Sequence, residues 1–297
     1  MTIGVVVMAY GTPRDRDDIA AYYTDIRRGR PPTPELLAEL TARYDALGGT
    51  FPLRAITEQQ VAVITAELDE LDPGRFTVAL GTKHSRPRLE DAVADLTGRR
   101  VERVVGLVLA PHYSRFSVGE YAERVAKAAA EHDLYADTVD SWHLLPAYVQ
   151  FLADAVTDAL AAMPAGSEVL FTAHSLPERI LGTGDPYPDQ LRETAAAVAG
   201  RLGLDRWSVG WQSAGRTPEP WLGPDVLEVV RARAEAGAAG LVVCACGFVA
   251  DHLEVAYDLD IEARAFAEEL GLPFARTASV GADRAVMAAL AGLVATR

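Results

Sequence analysis

Residues 168–177 read Glu-Val-Leu-Phe-Thr-Ala-His-Ser-Leu-Pro, an apolar and β-branched run that stops at a histidine, a serine and a proline. So short a run, apolar at successive positions and closed by turn residues, predicts a strand buried on both faces. The stretches on either side, 146–162 and 188–202, carry Ala and Leu at helical period, so a helix is expected before and after it. The same alternation extends outward in both directions. Strands are predicted at 4–9, 76–80, 101–110, 138–140, 207–212, 241–245 and 274–277, and further helices at 57–71, 88–97, 118–132, 223–236, 252–270 and 283–296. Parallel strands need crossover connections, and helices of this length supply them. The expected class is α/β, with parallel sheets covered on both faces and ligands bound beyond the strand C-termini.

At 297 residues the chain is long enough for two domains, each burying a core of its own. The division expected is 1–145 and 146–297, with the last helix packing back on the first domain. Twenty-eight Lys and Arg against 42 Asp and Glu leave a formal charge of −14, which disfavours nonspecific binding to nucleic acid or anionic membranes. An acidic ligand therefore needs a local basic pocket. Cys244 and Cys246 are the only cysteines, too close for an ordinary disulfide and too few for a four-thiolate metal site, which fits a reducing cytoplasm. The opening apolar run, 3–9, is far short of the roughly 20 residues that cross a bilayer, so a buried strand and a protein without a transmembrane segment are expected.

Residues 11–56 break the alternation. They hold Arg14, Arg16, Arg27, Arg28, Arg30, Arg43 and Arg54, several prolines and the Gly48–Gly49 pair. They read as a functional insertion, with a solvated helix end as the plain alternative. GTKHS (81–85), APHYS (110–114) and TAHSLP (172–177) each follow a strand and contain a histidine, a weak echo that suggests a duplicated half. His84, His112, His174 and His252 would then lie at strand C-termini, whereas His132 and His143 read as helix-end or surface residues.

His174, directly after a buried strand, is placed to bind a transition metal or accept a proton near neutral pH; a hydrogen-bonding structural role is the alternative. Glu254, Asp258 and Glu262 recur every four residues along one helix flank, and align better if a wider π-turn is present. They form either a path for a cation or proton, or a solvated acidic face. Asp251 reads as a helix cap. Tyr10, after the first strand, offers a phenol. Trp211–Gly215 and Pro220–Pro224 would line the same sheet edge, with core or turn packing as the alternative. Ser175 lacks the Gly-x-Ser-x-Gly elbow of an α/β-hydrolase nucleophile.

Together these segments resemble the ferrochelatase family, and within it the Gram-positive type that metallates coproporphyrin III. The resemblance spans nearly the whole chain: VMAYGTP (7–13), YYTDIRRGR (22–30), ITEQQ (56–60), APHYSRFSVGEY (110–121), TAHSLPE (172–178), GDPYPDQL (184–191), WQSAGRTPEPWLGPDV (211–226) and GFVADHLEVAYDLD (247–260). It implies two Rossmann-like domains with parallel four-stranded sheets and a porphyrin cleft between them. His174 and Glu254 would be the metal-site and catalytic pair on opposite walls. Tyr10 would lie axial to the product iron, and Arg27, Arg43, Tyr44 and Tyr121 would hold the propionates or the ring. Asp258 and Glu262 would continue the polar line out of the pocket. The implied activity is insertion of Fe²⁺ into coproporphyrin III to form coprohaem in the cytoplasm; protoporphyrin IX as substrate, another ion such as Co²⁺, and a noncatalytic tetrapyrrole carrier are the alternatives. Where such relatives commonly place a serine after the Gly-Gly turn, this chain reads Gly-Thr-Phe-Pro at 49–52, so that hydroxyl contact is missing or moves to Thr50. No organic cofactor is implied. Two cysteines are too few for the [2Fe–2S] cluster of some relatives. A monomer is expected, with transient handover to other haem-synthesis enzymes left open.

Overall fold

In β1 (Ile3–Ala9), Ile3, Val5 and Val7 point to one face of the sheet and Val6 and Met8 to the other, and all five are fully buried. Successive strand side chains alternate in direction, so a strand buried on both sides must read as one continuous apolar run. The computed structural model describes residues 2–49 and 52–297. The expected contact of Thr50, and the effect of Phe51, lie outside the described residues.

After β1 come α1 (Ile19–Ile26), α2 (Pro34–Ala46), α3 (Pro52–Leu71), β2 (Phe76–Thr82), α4 (Leu89–Gly98), β3 (Arg103–Val108), α5 (Val118–Ala130) and β4 (Tyr135–Val139). The second half runs α6 (Pro146–Ala161), β5 (Glu168–His174), α7 (Tyr187–Leu202), β6 (Trp207–Gln212), α8 (Val226–Glu235) and β7 (Leu241–Cys244). It ends with α9 (Leu253–Val255), a π-helix (Ala256–Ala263), α10 (Arg264–Glu269), β8 (Phe274–Arg276) and α11 (Arg284–Ala295). The strands form two parallel four-stranded sheets, ordered β2-β1-β3-β4 and β6-β5-β7-β8. In each sheet the chain steps to one side and then crosses back, leaving a switch point between β1 and β3 and another between β5 and β7. Open α/β sheets bind ligands at such points. Equivalent strands are therefore β1 and β5, β2 and β6, β3 and β7. The histidine-bearing turns follow β2, β3 and β5, which are not equivalent, so the repeat lies in strand order and not in the motif.

Where separate cores were expected, the two halves share one. Inner-face residues Val5, Val7 and Leu107 of the first sheet and Phe171 and Val242 of the second join side chains of α3, α6 and α11 in one cluster. Each sheet keeps a smaller outer cluster, roofed by α4 and α5 on the first and by α8 and the 253–269 helix on the second. The last helix, α11, packs on α3 of the first half.

The structure and the sequence reading differ at several places. Helix α3 begins at Pro52, not at 57, so the insertion of 11–56 runs into it; proline suits a first helical turn, where its missing N–H is no loss. The insertion is itself helical: Thr33 caps α2, its side chain accepting from Leu36 N, and Pro34 opens the helix. Strand β4 is Tyr135–Val139 instead of 138–140, an edge strand whose half-exposed, polar residues hide its period.

Candidate active site

His174 closes β5, the strand beside the second switch point. Its backbone is held from two sides: Tyr187 Oη donates to the His174 carbonyl at 3.0 Å, and Ser175 N donates to Gln212 O at 2.8 Å. Its Nδ1 faces the Ser175 carbonyl. A carbonyl only accepts, so Nδ1 carries a proton in either charge state, and the lone pair of the neutral ring sits on Nε2.

Glu254 reaches that nitrogen from the segment after β7. A glycine is needed there: a Cβ on Gly247 would lie 2.4 Å from Ala173 Cβ and 2.6 Å from Ala173 Cα, so only Gly lets this backbone cross the end of β5. His252, and not Asp251 as expected, caps the helix, its Nδ1 accepting from Glu254 N at 3.1 Å, while Asp251 pairs with Arg276. Glu254 Oε1 ends 3.5 Å from His174 Nε2. The side chains keep 32% and 42% of their surface open, so both can meet a ligand from solvent. Burial works against the imidazolium, but Glu254 and the Ser175 carbonyl outweigh it and raise the His174 pKa. Burial also opposes the carboxylate, yet His174, then His252 and Arg43, pull Glu254 down to about 2.

The acidic row continues along the helix, which widens into a π-helix over Ala256–Ala263. Asp258, one wide turn beyond Glu254, is buried and accepts from Ser213 Oγ and from Arg43 Nη1 at 3.1 Å. Burial, offset by Ser213 and reinforced by Glu254, lifts its pKa to about 6. Glu262 is exposed at the outer end.

His174 and Glu254 were expected on opposite walls, but both come from the second half and lie 3.5 Å apart; the residues facing them come from the first half. Tyr10, immediately after β1, is 44% exposed, its ring 4.6 Å from that of His84. Although part of the ring is open, desolvation by the protein around it, then the nearby Glu254, hold its phenol well above its ordinary pKa. Tyr44 is buried in α2; burial, partly offset by a hydrogen bond with Thr12, pushes it up to about 12. Arg43 packs its guanidinium over the Tyr257 ring at 4.6 Å. Tyr121 is only 4% exposed and lies beneath Lys83 Nζ, which pairs with Glu120. Arg27 ends α1 against the Tyr23 ring and the Arg30 carbonyl; no contact among the described residues ties it to the His174–Glu254 pair.

Of the other histidines, His84 bonds Asp25 at 2.7 Å, and His112 is buried against Thr194, where burial and then His143 press it down to about 3. His143 pairs with Glu193 and His132 is exposed. A cavity of about 590 Å³ lies against Thr12, Tyr22 and His84, outside the His174–Glu254 pair. Its arginines 14, 54, 86 and 88 are paired with Asp18, Glu58, Asp91 and Asp25, so it is not a free cationic trap. Lys83 and Ser213 lie inside quoted stretches, GTKHS and Trp211–Gly215, but neither was singled out: the first was read for its histidine, and the second as a whole segment lining the sheet edge or packing. Tyr187 lies in the quoted GDPYPDQL stretch but was given no role, because its role is set by a backbone carbonyl.

Among the described residues, no group of three or more His, Cys, Asp or Glu side chains is arranged to hold an ion, and no helix is long and apolar enough to cross a membrane. Residues 2–297 match the family model described as Ferrochelatase. The chain is 46% identical to the coproporphyrin III ferrochelatase of Geobacillus kaustophilus (strain HTA426), covering 100% of this chain and 96% of that protein. It is also 46% identical to the protein of that name from Halalkalibacterium halodurans, over 92% and 90%. Among solved structures it resembles the sirohydrochlorin chelatase SirB of Bacillus subtilis subspecies spizizenii, with a TM-score of 0.60 at 9% identity over 99% and 94% of the two chains. CbiX, the terminal enzyme for siroheme biosynthesis in denitrifying bacteria, gives 0.55 at 16% identity over 100% and 99%. At such identities these two likenesses speak for the fold alone. The full-length family match and the whole-chain relatives establish that the chain belongs to the ferrochelatase family.

Proposed function

We propose that this chain is a coproporphyrin III ferrochelatase that inserts Fe²⁺ into coproporphyrin III through His174 and Glu254. The observation that carries this reading is the pair itself: an imidazole and a carboxylate 3.5 Å apart at a sheet switch point, open to a cleft walled by Tyr10 and Arg43. Metal insertion makes three demands: the ion sheds water, two pyrrole protons leave, and a stiff ring bends. Nε2 of neutral His174 takes one pyrrole proton, the resulting N–H donating to Glu254, and the second proton leaves along the carboxylate row through Asp258 to solvent. Positioned acid–base groups of this kind contribute about 10²–10⁴-fold. Fe²⁺ at Glu254 also weakens the carboxylate's pull on the imidazolium, so the arrival of metal readies the base. Asp258 and Glu262 extend an acidic route to solvent for the ion or the displaced protons. Ring bending draws on binding energy from remote carboxylates, which Arg27 and Arg43 suit by their planar forks.

Coproporphyrin III carries four propionates to the two of protoporphyrin IX, and the arginine-bearing α1–α2 segment favours the more acidic ring. Cys244 and Cys246 are buried free thiols, half of what a [2Fe–2S] cluster needs, so this reading includes no cluster. It places the enzyme in the cytoplasm as a monomer that passes coprohaem onward. Anaerobic incubation with Fe²⁺ and an equal mixture of the two porphyrins tests it: the free-base spectrum of coproporphyrin III is expected to convert first. Preferential conversion of protoporphyrin IX would overturn the substrate assignment, and no conversion of either would overturn the activity.

A further inference from the structure

Helices α1 and α2 form an arm with little apolar anchorage: α1 buries only Ile19 and α2 only Tyr44. Elements with so little buried surface open at low cost, yet this arm carries Arg43 and Tyr44 into the cleft wall. What joins its outer end to the other half is polar. Glu39, on α2, receives both terminal nitrogens of Arg216, from the loop after β6. Glu39 also lies 3.9 Å from Arg43 Nε, one turn along α2, and Arg43 in turn reaches Asp258 at 3.1 Å. Ser213, in the same loop as Arg216, donates to Asp258. The result is a closed chain of contacts, Arg216–Glu39–Arg43–Asp258–Ser213, running from one half to the other and back. Ser213 sits at φ +60°, a left-handed conformation uncommon for a residue with a side chain, so the loop is held in a specific turn at this point.

We propose that the Arg216–Glu39 pair is a clasp that holds the α1–α2 arm against the second half, making Glu39 and Arg216 positioning residues for porphyrin capture. They act through Arg43 and touch neither the ring nor the metal. The inference rests on the porphyrin reading of the cleft. An isolated exposed ion pair contributes little, but a forked arginine–carboxylate pair within a network, holding an otherwise loosely anchored element, is the case in which the contribution is measurable.

The test is a double-mutant cycle of Glu39→Gln, Arg216→Gln and both together, read by stopped-flow fluorescence of coproporphyrin III release and by steady-state metal insertion. Each single variant is expected to release the free-base porphyrin about fivefold faster and to raise its KM by a similar factor, the equivalent of roughly 1 kcal/mol, with kcat not lowered. The double variant is expected to match the singles, because the pair is lost once. Added salt should speed release from the unaltered chain more than from the variants, in which only the propionate–arginine contacts remain to be screened. Unchanged release in the single variants, or a double effect equal to the product of the singles, would overturn the clasp. Metal insertion by the unaltered chain, followed in the same series, separates the two claims: insertion with no effect on release sinks the clasp alone, and no insertion sinks the reading beneath it.

Discussion

His174 has one ring nitrogen committed to a backbone carbonyl and the other free to exchange a proton within reach of Glu254. That pairing has a pH signature. His174 is raised above 6.5, so its share of the pair's stabilisation is full below 6.5 and is lost as pH rises through the raised value. Glu254 is lowered from 4.5 to about 2, so its share is full above 4.5 and is lost as pH falls toward 2. Both shares belong to one interaction, whose window lies between 4.5 and 6.5. In Glu254→Gln the stability deficit against the unaltered protein should be greatest in that window and shrink at higher pH. NMR titration of the His174 ring in that variant should show its pKa falling, because burial then acts with less opposition. A titration unmoved by the substitution would mean that the two groups do not interact. Both residues stood out in the sequence, one as a polar stop to an apolar strand and the other as the first of a four-residue carboxylate repeat. Their separation did not, because it is fixed by the crossing of two backbones far apart along the chain.

That crossing belongs to the elements. Gly247 lets the segment after β7 pass over the end of β5, with its N–H donating to the Thr172 carbonyl at 2.9 Å. A methyl group there has backbone in its way, so Gly247→Ala should cost about 1–3 kcal/mol and displace Glu254 from His174. The expected outcome is a lowered melting temperature together with a fall in kcat for metal insertion; retention of full activity would show that the segment reaches its place by another route. Most strands and helices were legible because burial on both faces leaves a continuous apolar run and helices leave a period. The carboxylate spacing also pointed to the π-helix, whose wider turn suits a repeat of four better than a regular helix does. The α1–α2 arm was not legible as helix: its arginines are placed by partners, Arg43 by Asp258 and Arg28 by Glu120, and not by apolar period.

For the whole molecule, the shared inner core matters most. Phe171 on β5 is fully buried and packs edge-on to Trp207, in the cluster that also holds Val5 and Val7 of β1. Phe171→Ala should therefore cost roughly 3–5 kcal/mol and lower one common unfolding transition, although the substitution lies in the second sheet. Calorimetry resolving two transitions, with only one displaced, would show that the halves fold independently. The sequence suggested two units, each with its own core, because strand–helix alternation does not say which face of a helix meets which sheet; α3, α6 and α11 lie between the sheets and serve both. The same arrangement fixes the relative position of the two cleft walls, and so underlies the chemistry assigned to His174 and Glu254. Parallel measurement of coproporphyrin III binding and of anaerobic Fe²⁺ insertion in His174→Ala tests that assignment most directly. Porphyrin affinity is expected to stay within a few-fold of the unaltered enzyme and insertion to fall by at least about 10²-fold; insertion at the unaltered rate would remove His174 from the chemistry.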